Sequence, residues 1–114
     1  MMTMKIAITA KENRENAPAE ERFGRAPYFI LFDDESRTRS ILENPGADAP
    51  GGVGPRTVQL LVNHDVHVVI TGQVGGNAMT ALKAAGIETY QYREGGTVED
   101  ALSLYREGRL TRIL

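Results

Sequence analysis

The stretch HDVHVVITGQVGGNAMTAL, residues 64–82, decides the fold. Its DVHVVIT portion is near-continuously apolar and rich in β-branched residues, as expected of a central strand covered on both faces. GQVGG then bends the chain, and a helix pattern follows. Asn77 is placed to cap that helix, Met79, Leu82 and Ala85 recur on its inward side, and Gly86 is the expected stop. A buried strand, a glycine turn and a helix make one unit of a parallel sheet dressed with helices.

Outward from this unit, Pro55 opens an earlier helix over RTVQLLVNH, where its missing N–H is harmless. Val58, Leu61 and Val62 form that helix's expected buried stripe, with Leu60 partly covered. MKIAIT, residues 4–9, reads as the first strand, with Ile6 and Ile8 on one face and Ala7 on the other. YFILFD, the turn DDES and RTRSILEN read as a β-hairpin whose second strand alternates weakly, as an edge strand does. Two loops interrupt the pattern. Ala10 to Pro27 is long and polar, is expected to be mobile, and holds one large apolar residue, Phe23. Pro45 to Pro55 carries four glycines and three prolines.

Toward the other end, IETYQY is a short strand and REGG a turn. Thr97 caps the last helix, Glu99 and Asp100 place negative charge in its first turn, and Val98, Ala101, Leu102 and Tyr105 form its apolar stripe. Gly108 ends it, and Leu110, Ile113 and Leu114 are expected to pack back onto the domain. The order strand, hairpin, helix, strand, helix, strand, helix predicts a single α/β sandwich over residues 1–114, with a mostly parallel sheet and one antiparallel strand.

Composition narrows the function. Among 114 residues, 13 Lys and Arg face 15 Asp and Glu, a formal charge of -2, so no basic excess points to nucleic acid. There is no cysteine, which excludes disulfides, zinc-thiolate sites and cysteine-ligated iron–sulfur clusters within this chain. The opening MMTMKIAITA lacks a signal peptide's apolar region, and no apolar run nears the roughly 20 residues needed to span a bilayer. These features predict a cytoplasmic protein with neither a membrane nor a nucleic acid as partner.

The candidate site residues fall into two groups. TGQVGGN lies where a strand ends and a helix begins, the edge of an open parallel sheet that ligands favour and where free N–H groups hold anions. It lacks the lysine and hydroxyl of a Walker A loop and the spacing of a dinucleotide fingerprint, so its glycines serve either an anion or tight turning alone. Phe23 and Arg25 interrupt the first loop: Phe23 suits an anchor onto the core, while Arg22 and Arg25 suit an anionic ligand or partner. The second group is His64 and His67, which suit iron, copper or zinc; alternatively they have no ligand role, His67 then being a buried or edge histidine satisfied by a backbone carbonyl. Asp33, Asp34 and Glu35 resemble a magnesium cluster, although a hairpin turn is the commoner home for such residues. No nucleophile stands beside a general base, so an enzyme is not expected.

Taken in order, MKIAIT, RFGRAPYFILFD, ENP, GVGPRTVQLL, DVHVVITGQVGGNAMTALKAAGIETY and GTVEDALSLYREGRL resemble the dinitrogenase iron–molybdenum cofactor biosynthesis family, the NifX, NafY and NifB C-terminal group, in its stand-alone single-domain form. The resemblance implies a ribonuclease H-like three-layer sandwich with a five-stranded mixed sheet, an antiparallel hairpin and helices on both faces. It implies non-catalytic binding or transfer of an iron–sulfur or iron–molybdenum cluster or its precursor, with cluster-assembly or acceptor proteins as partners. The cofactor-binding residues are then expected to be Phe23, Arg25, Gly52, Gly54, Gly72, Gly75, Gly76 and Asn77. In cofactor-carrying relatives a histidine holds the cluster, which directs attention to His64 and His67 as metal ligands. The alternative is a regulatory module that binds an anion or small metabolite through the same glycine turns.

Overall fold

The computed structural model describes residues 4–48 and 53–114, the side chain of Val53 excepted. The elements are β1 (Lys5–Ala10), β2 (Tyr28–Asp33), β3 (Thr38–Glu43), α1 (Val53–Asn63), β4 (Val68–Thr71), α2 (Gly76–Ala85), β5 (Glu88–Gln91), α3 (Val98–Arg106) and β6 (Thr111–Arg112). They build one mixed sheet in the order β3-β2-β1-β4-β5-β6. β1, β4 and β5 pair in parallel, while β2 runs antiparallel to both β1 and β3.

The sheet has six strands, not five, and two of them are reversed rather than one. The extra strand is β6, which pairs Tyr90 with Arg112 and Gln91 with Thr111. Two residues are too few to show alternation, which is why the tail reads as irregular in sequence. Leu110 and Leu114 nevertheless pack against the core, on opposite faces of the sheet.

Alternation along each strand sends apolar side chains to both faces and makes two cores. Ile6, Ile8, Ile30, Phe32, Val68 and Ile70 pack with Val98, Ala101 and Leu102 of α3. On the other face Ala7, Phe29 and Val69 meet Val58 and Leu61 of α1 and Ala78 and Leu82 of α2. The result is three layers with α3 on one side and α1 and α2 on the other. Thr97 closes α3 with a full capping box: its side chain accepts the Asp100 N–H, and the Asp100 carboxylate accepts the Thr97 N–H.

Helix details depart from the sequence pattern. α1 begins at Val53, two residues before Pro55, which still sits in the first turn where no N–H is needed. Val62 is 41% exposed, because α1 turns that side to solvent while Leu61 goes fully under. In α2 the buried residues are Ala78 and Leu82, and Ala85 is exposed. Gly75, not Asn77, is its N-cap, and no side chain caps it. Gly86 ends it in the left-handed conformation at φ 71.

The segment from Ala10 to Pro27 is tied down rather than free. Ala19 bridges Ala10, Pro18 bridges Thr97, and Arg22 bridges Gln73. Phe23 is 1% exposed and meets Phe29 edge to face, with ring centroids 5.8 Å apart. Phe23→Ala is expected to lower unfolding free energy by about 3–5 kcal/mol, the usual cost of emptying a buried aromatic site. Denaturant unfolding measures this directly, and a loss below ~1 kcal/mol would mean that the segment is not anchored there.

Candidate functional site

Three backbone segments converge at the carboxyl end of β4. The strap Glu21–Arg25 crosses the turn after the strand. The Glu21 carbonyl accepts the N–H groups of Gly72 at 3.0 Å and Gln73 at 2.6 Å, and the Phe23 N–H returns to the Gln73 carbonyl at 2.9 Å. A Cβ on Gly72 would lie 2.6 Å from Glu21 Cγ and 2.9 Å from its carbonyl oxygen, so only glycine admits the strap. Across the turn, a Cβ on Gly54 would lie 2.8 Å from Ala78 Cβ and 3.1 Å from Ala78 backbone. The missing side chain brings the first turns of α1 and α2 into direct contact.

Between strap and helix starts lies an open cleft of about 410 Å³, lined by Arg22–Arg25, Gly54, Pro55 and the run Gln73–Ala78. Neither helix has an acidic residue in its first turn. The initial N–H groups of a helix have no intrahelical partner and carry its positive end. Arg25 is half-buried and donates from Nη1 to the Ala47 carbonyl at 3.1 Å. Arg22 is exposed, with Nε 3.6 Å from a Glu20 carboxylate oxygen. Among the described residues, the lining includes two arginines and no acidic residue.

Gly75 and Gly76 differ from Gly54 and Gly72. A Cβ on either would meet nothing within 4 Å, and neither has a positive φ; Gly75 lies at φ -70, ψ 162. Turning and packing do not require glycine at these two positions. They leave bare backbone at the mouth of the cleft.

The structure thus brings together Phe23, Arg25, Gly54, Gly75, Gly76 and Asn77, with Gly72 beneath the strap. Gly52 lies outside the described residues. The histidines are elsewhere. His64 is exposed beyond the end of α1, and its N–H donates to the Leu61 carbonyl. His67 precedes β4, and its Nδ1 accepts the Lys5 N–H at 3.3 Å. From His67 to Gly72 the chain runs the length of β4, roughly 16 Å at the rise of a strand. No group of three or more His, Cys, Asp or Glu suited to a metal ion occurs among the described residues. Asp33 serves the hairpin turn, accepting the N–H groups of Glu35 and Ser36, and Asp34 pairs with Arg106.

Gln73, Val74 and Ala78 also line the cleft, without having stood out in the sequence. Ala78 looks like any small helix residue until Gly54, 24 positions earlier, is seen to require it. Gly72→Ala is expected to push the strap off the turn, costing about 1–3 kcal/mol as overpacking does. Hydrogen exchange at the Gln73 and Phe23 amides should accelerate with it. Unchanged protection there would show that the strap does not depend on Gly72.

Comparison with known proteins fits this architecture. The family model described as dinitrogenase iron-molybdenum cofactor matches residues 4–108. A putative NifB protein from Thermotoga, solved by NMR, is 42% identical with a TM-score of 0.86, covering 96% of this chain and 93% of its own. The apo form of the orange protein from Desulfovibrio gigas is 32% identical with a TM-score of 0.89, covering 95% and 91%. An uncharacterized protein of Methanocaldococcus jannaschii is 28% identical over 112 residues, 96% of this chain and 91% of that protein. The chain belongs to the dinitrogenase iron–molybdenum cofactor family, as a NifX-like member.

Proposed function

We propose that this chain binds or transfers an iron–sulfur or iron–molybdenum cluster, or a precursor of one, in the cleft between the strap and the starts of α1 and α2. The observation that carries this reading is the bare backbone of Gly75 and Gly76 at a cleft with two arginines and no acid. Such a site suits an anion that approaches the main chain closely. The described lining residues include no Cys, His, Asp or Glu, so they offer donors and positive charge rather than metal–ligand bonds. A cluster would be held there as an anion that brings its own sulfide or other ligands, and such a cargo can be released again. Arg22 and Arg25 would supply charge-assisted hydrogen bonds, the N–H groups of Gly76, Asn77 and Ala78 would supply the rest, and Phe23 would fix the strap.

Among the described lining residues no nucleophile is paired with a base, and the proposed role is carriage rather than catalysis. We read the order β3-β2-β1-β4-β5 with β2 reversed as the ribonuclease H-like sandwich, with β6 added at its edge. The partners in this proposal are cluster-assembly or acceptor proteins, and the setting is cytoplasmic. No helix among the described residues is long and apolar enough to cross a membrane. A second reading, an anion or small-metabolite sensor, rests on the same absence of metal-ligating side chains in the cleft.

Anaerobic incubation with an iron–sulfur or iron–molybdenum cluster donor, followed by removal of free material, separates the two. Bound iron and molybdenum and the visible spectrum should report about one cluster per chain. Arg25→Ala should weaken retention about 10-fold or more, the worth of one charge-assisted hydrogen bond. His64→Ala and His67→Ala should retain the cluster as the parent does. A folded chain that retains no metal would overturn the cluster reading and leave the anion sensor, tested by titration with phosphate and molybdate. Gly76→Ala should stabilise the empty chain by about 0.4–1 kcal/mol, since its backbone already suits alanine, while weakening cluster retention. A variant that gained stability without losing binding would remove the bare backbone from the argument.

A further inference from the structure

The two edges of the sheet are guarded differently. β6 is two residues long, which leaves little to pair with. β3 is six residues long, contains no proline, and keeps an unbroken register with β2 from Thr38 to Glu43. Along a strand, backbone groups point alternately to either side. The Asn44 N–H donates to the Pro27 carbonyl, so by that alternation residues 38, 40 and 42 face β2 and residues 39, 41 and 43 face outward.

The outward set is Arg39, Ile41 and Glu43. Their cross-strand partners Phe32, Ile30 and Tyr28 belong to the core under α3, so all three side chains lie on that face of the sheet. Ile41 is 36% exposed, one of the few large apolar side chains left uncovered among the described residues. Arg39 is held over the Phe32 ring and donates from Nε and Nη2 to Glu99 at 2.7 and 3.0 Å. Those hydrogen bonds raise its pKa above the ordinary arginine value. Nη1 of Arg39 is not used in that pair.

Read in the opposite direction, this stripe is its own complement: a cation, an apolar residue, an anion. An isologous two-fold contact needs such a self-matching surface. Charged side chains on an edge strand ordinarily discourage pairing with another chain, but here the two signs are placed symmetrically about Ile41. Here, antiparallel pairing centred on Ile41 sets Arg39 opposite Glu43 of the second copy, twice, and Ile41 opposite Ile41. All three residues face outward, so this register also lets their N–H and carbonyl groups exchange ladder hydrogen bonds. We propose that β3 is the surface through which two copies of this chain pair, antiparallel, continuing the sheet across a two-fold axis at Ile41.

Such a contact is small for a specific interface, so the dimer is weak and depends on concentration. Sedimentation of the full chain from micromolar to millimolar concentration should show the 12.5 kDa monomer giving way to a species of twice that mass. Amide exchange at Arg39, Ile41 and Glu43 should slow with concentration, while that at Ser40 and Leu42 stays constant. Glu43→Arg, which sets like charges opposite, and Ile41→Lys should both leave a folded monomer. Combining Arg39→Glu with Glu43→Arg restores opposite charges and should restore pairing, provided circular dichroism shows the parent fold. A parent chain that stays monomeric throughout would overturn the proposal. So would a dimer that survives Glu43→Arg and Ile41→Lys unchanged.

Discussion

At Gly72 the end of the central strand β4 meets the carbonyl of Glu21 with no room for a side chain between them. Much of the cleft follows from that contact. The two N–H groups taken by the Glu21 carbonyl fix the strap, and the strap carries Arg22, Phe23 and Arg25 to one place. Phe23 then goes under, into the core shared with Phe29, and the arginines stay above it. Gly54 does the equivalent work on the far side, letting α1 press its first turn against Ala78. Two close approaches, each made possible by a missing Cβ, turn the edge of a sheet into a cleft with positive walls.

The electrostatics follow from what is left out as much as from what is present. Helix starts elsewhere in this chain are neutralised: α3 has Glu99, Asp100 and a capping box. α1 and α2 have no acid in the first turn, and α2 has no side-chain cap. At α2 the first N–H groups and the positive helix end therefore meet no capping side chain among the described residues. His67 and the glycine turn lie at opposite ends of β4.

Much of the fold was legible in the sequence because its strands are strongly patterned. The apolar run before Gly72 marks β4 as central, and the hairpin from Tyr28 to Glu43 has an unbroken register. β6 was not legible, since a two-residue strand is defined by its partner and not by its own pattern. The segment from Ala10 to Pro27 reads as mobile in sequence because its anchors, Glu21 with Gly72 and Pro18 with Thr97, are backbone contacts between distant positions. Local composition does not report such contacts. For the site, the glycine turn and Phe23 and Arg25 were visible as residues out of place in their surroundings. The distance between His67 and the turn follows already from reading DVHVVIT as a strand, with His67 near its start and Gly72 just past its end.

The central claim is that an anionic cluster sits against bare backbone at Gly75 and Gly76, away from either histidine. Its most direct test is an anaerobic ¹⁵N NMR titration of the chain with an iron-containing cluster donor. Paramagnetic broadening should centre on the amides of Gly75, Gly76, Asn77 and Ala78 and on Gly54, and leave His64 and His67 sharp. Broadening centred on His64 and His67, with the glycine turn unaffected, would contradict the account.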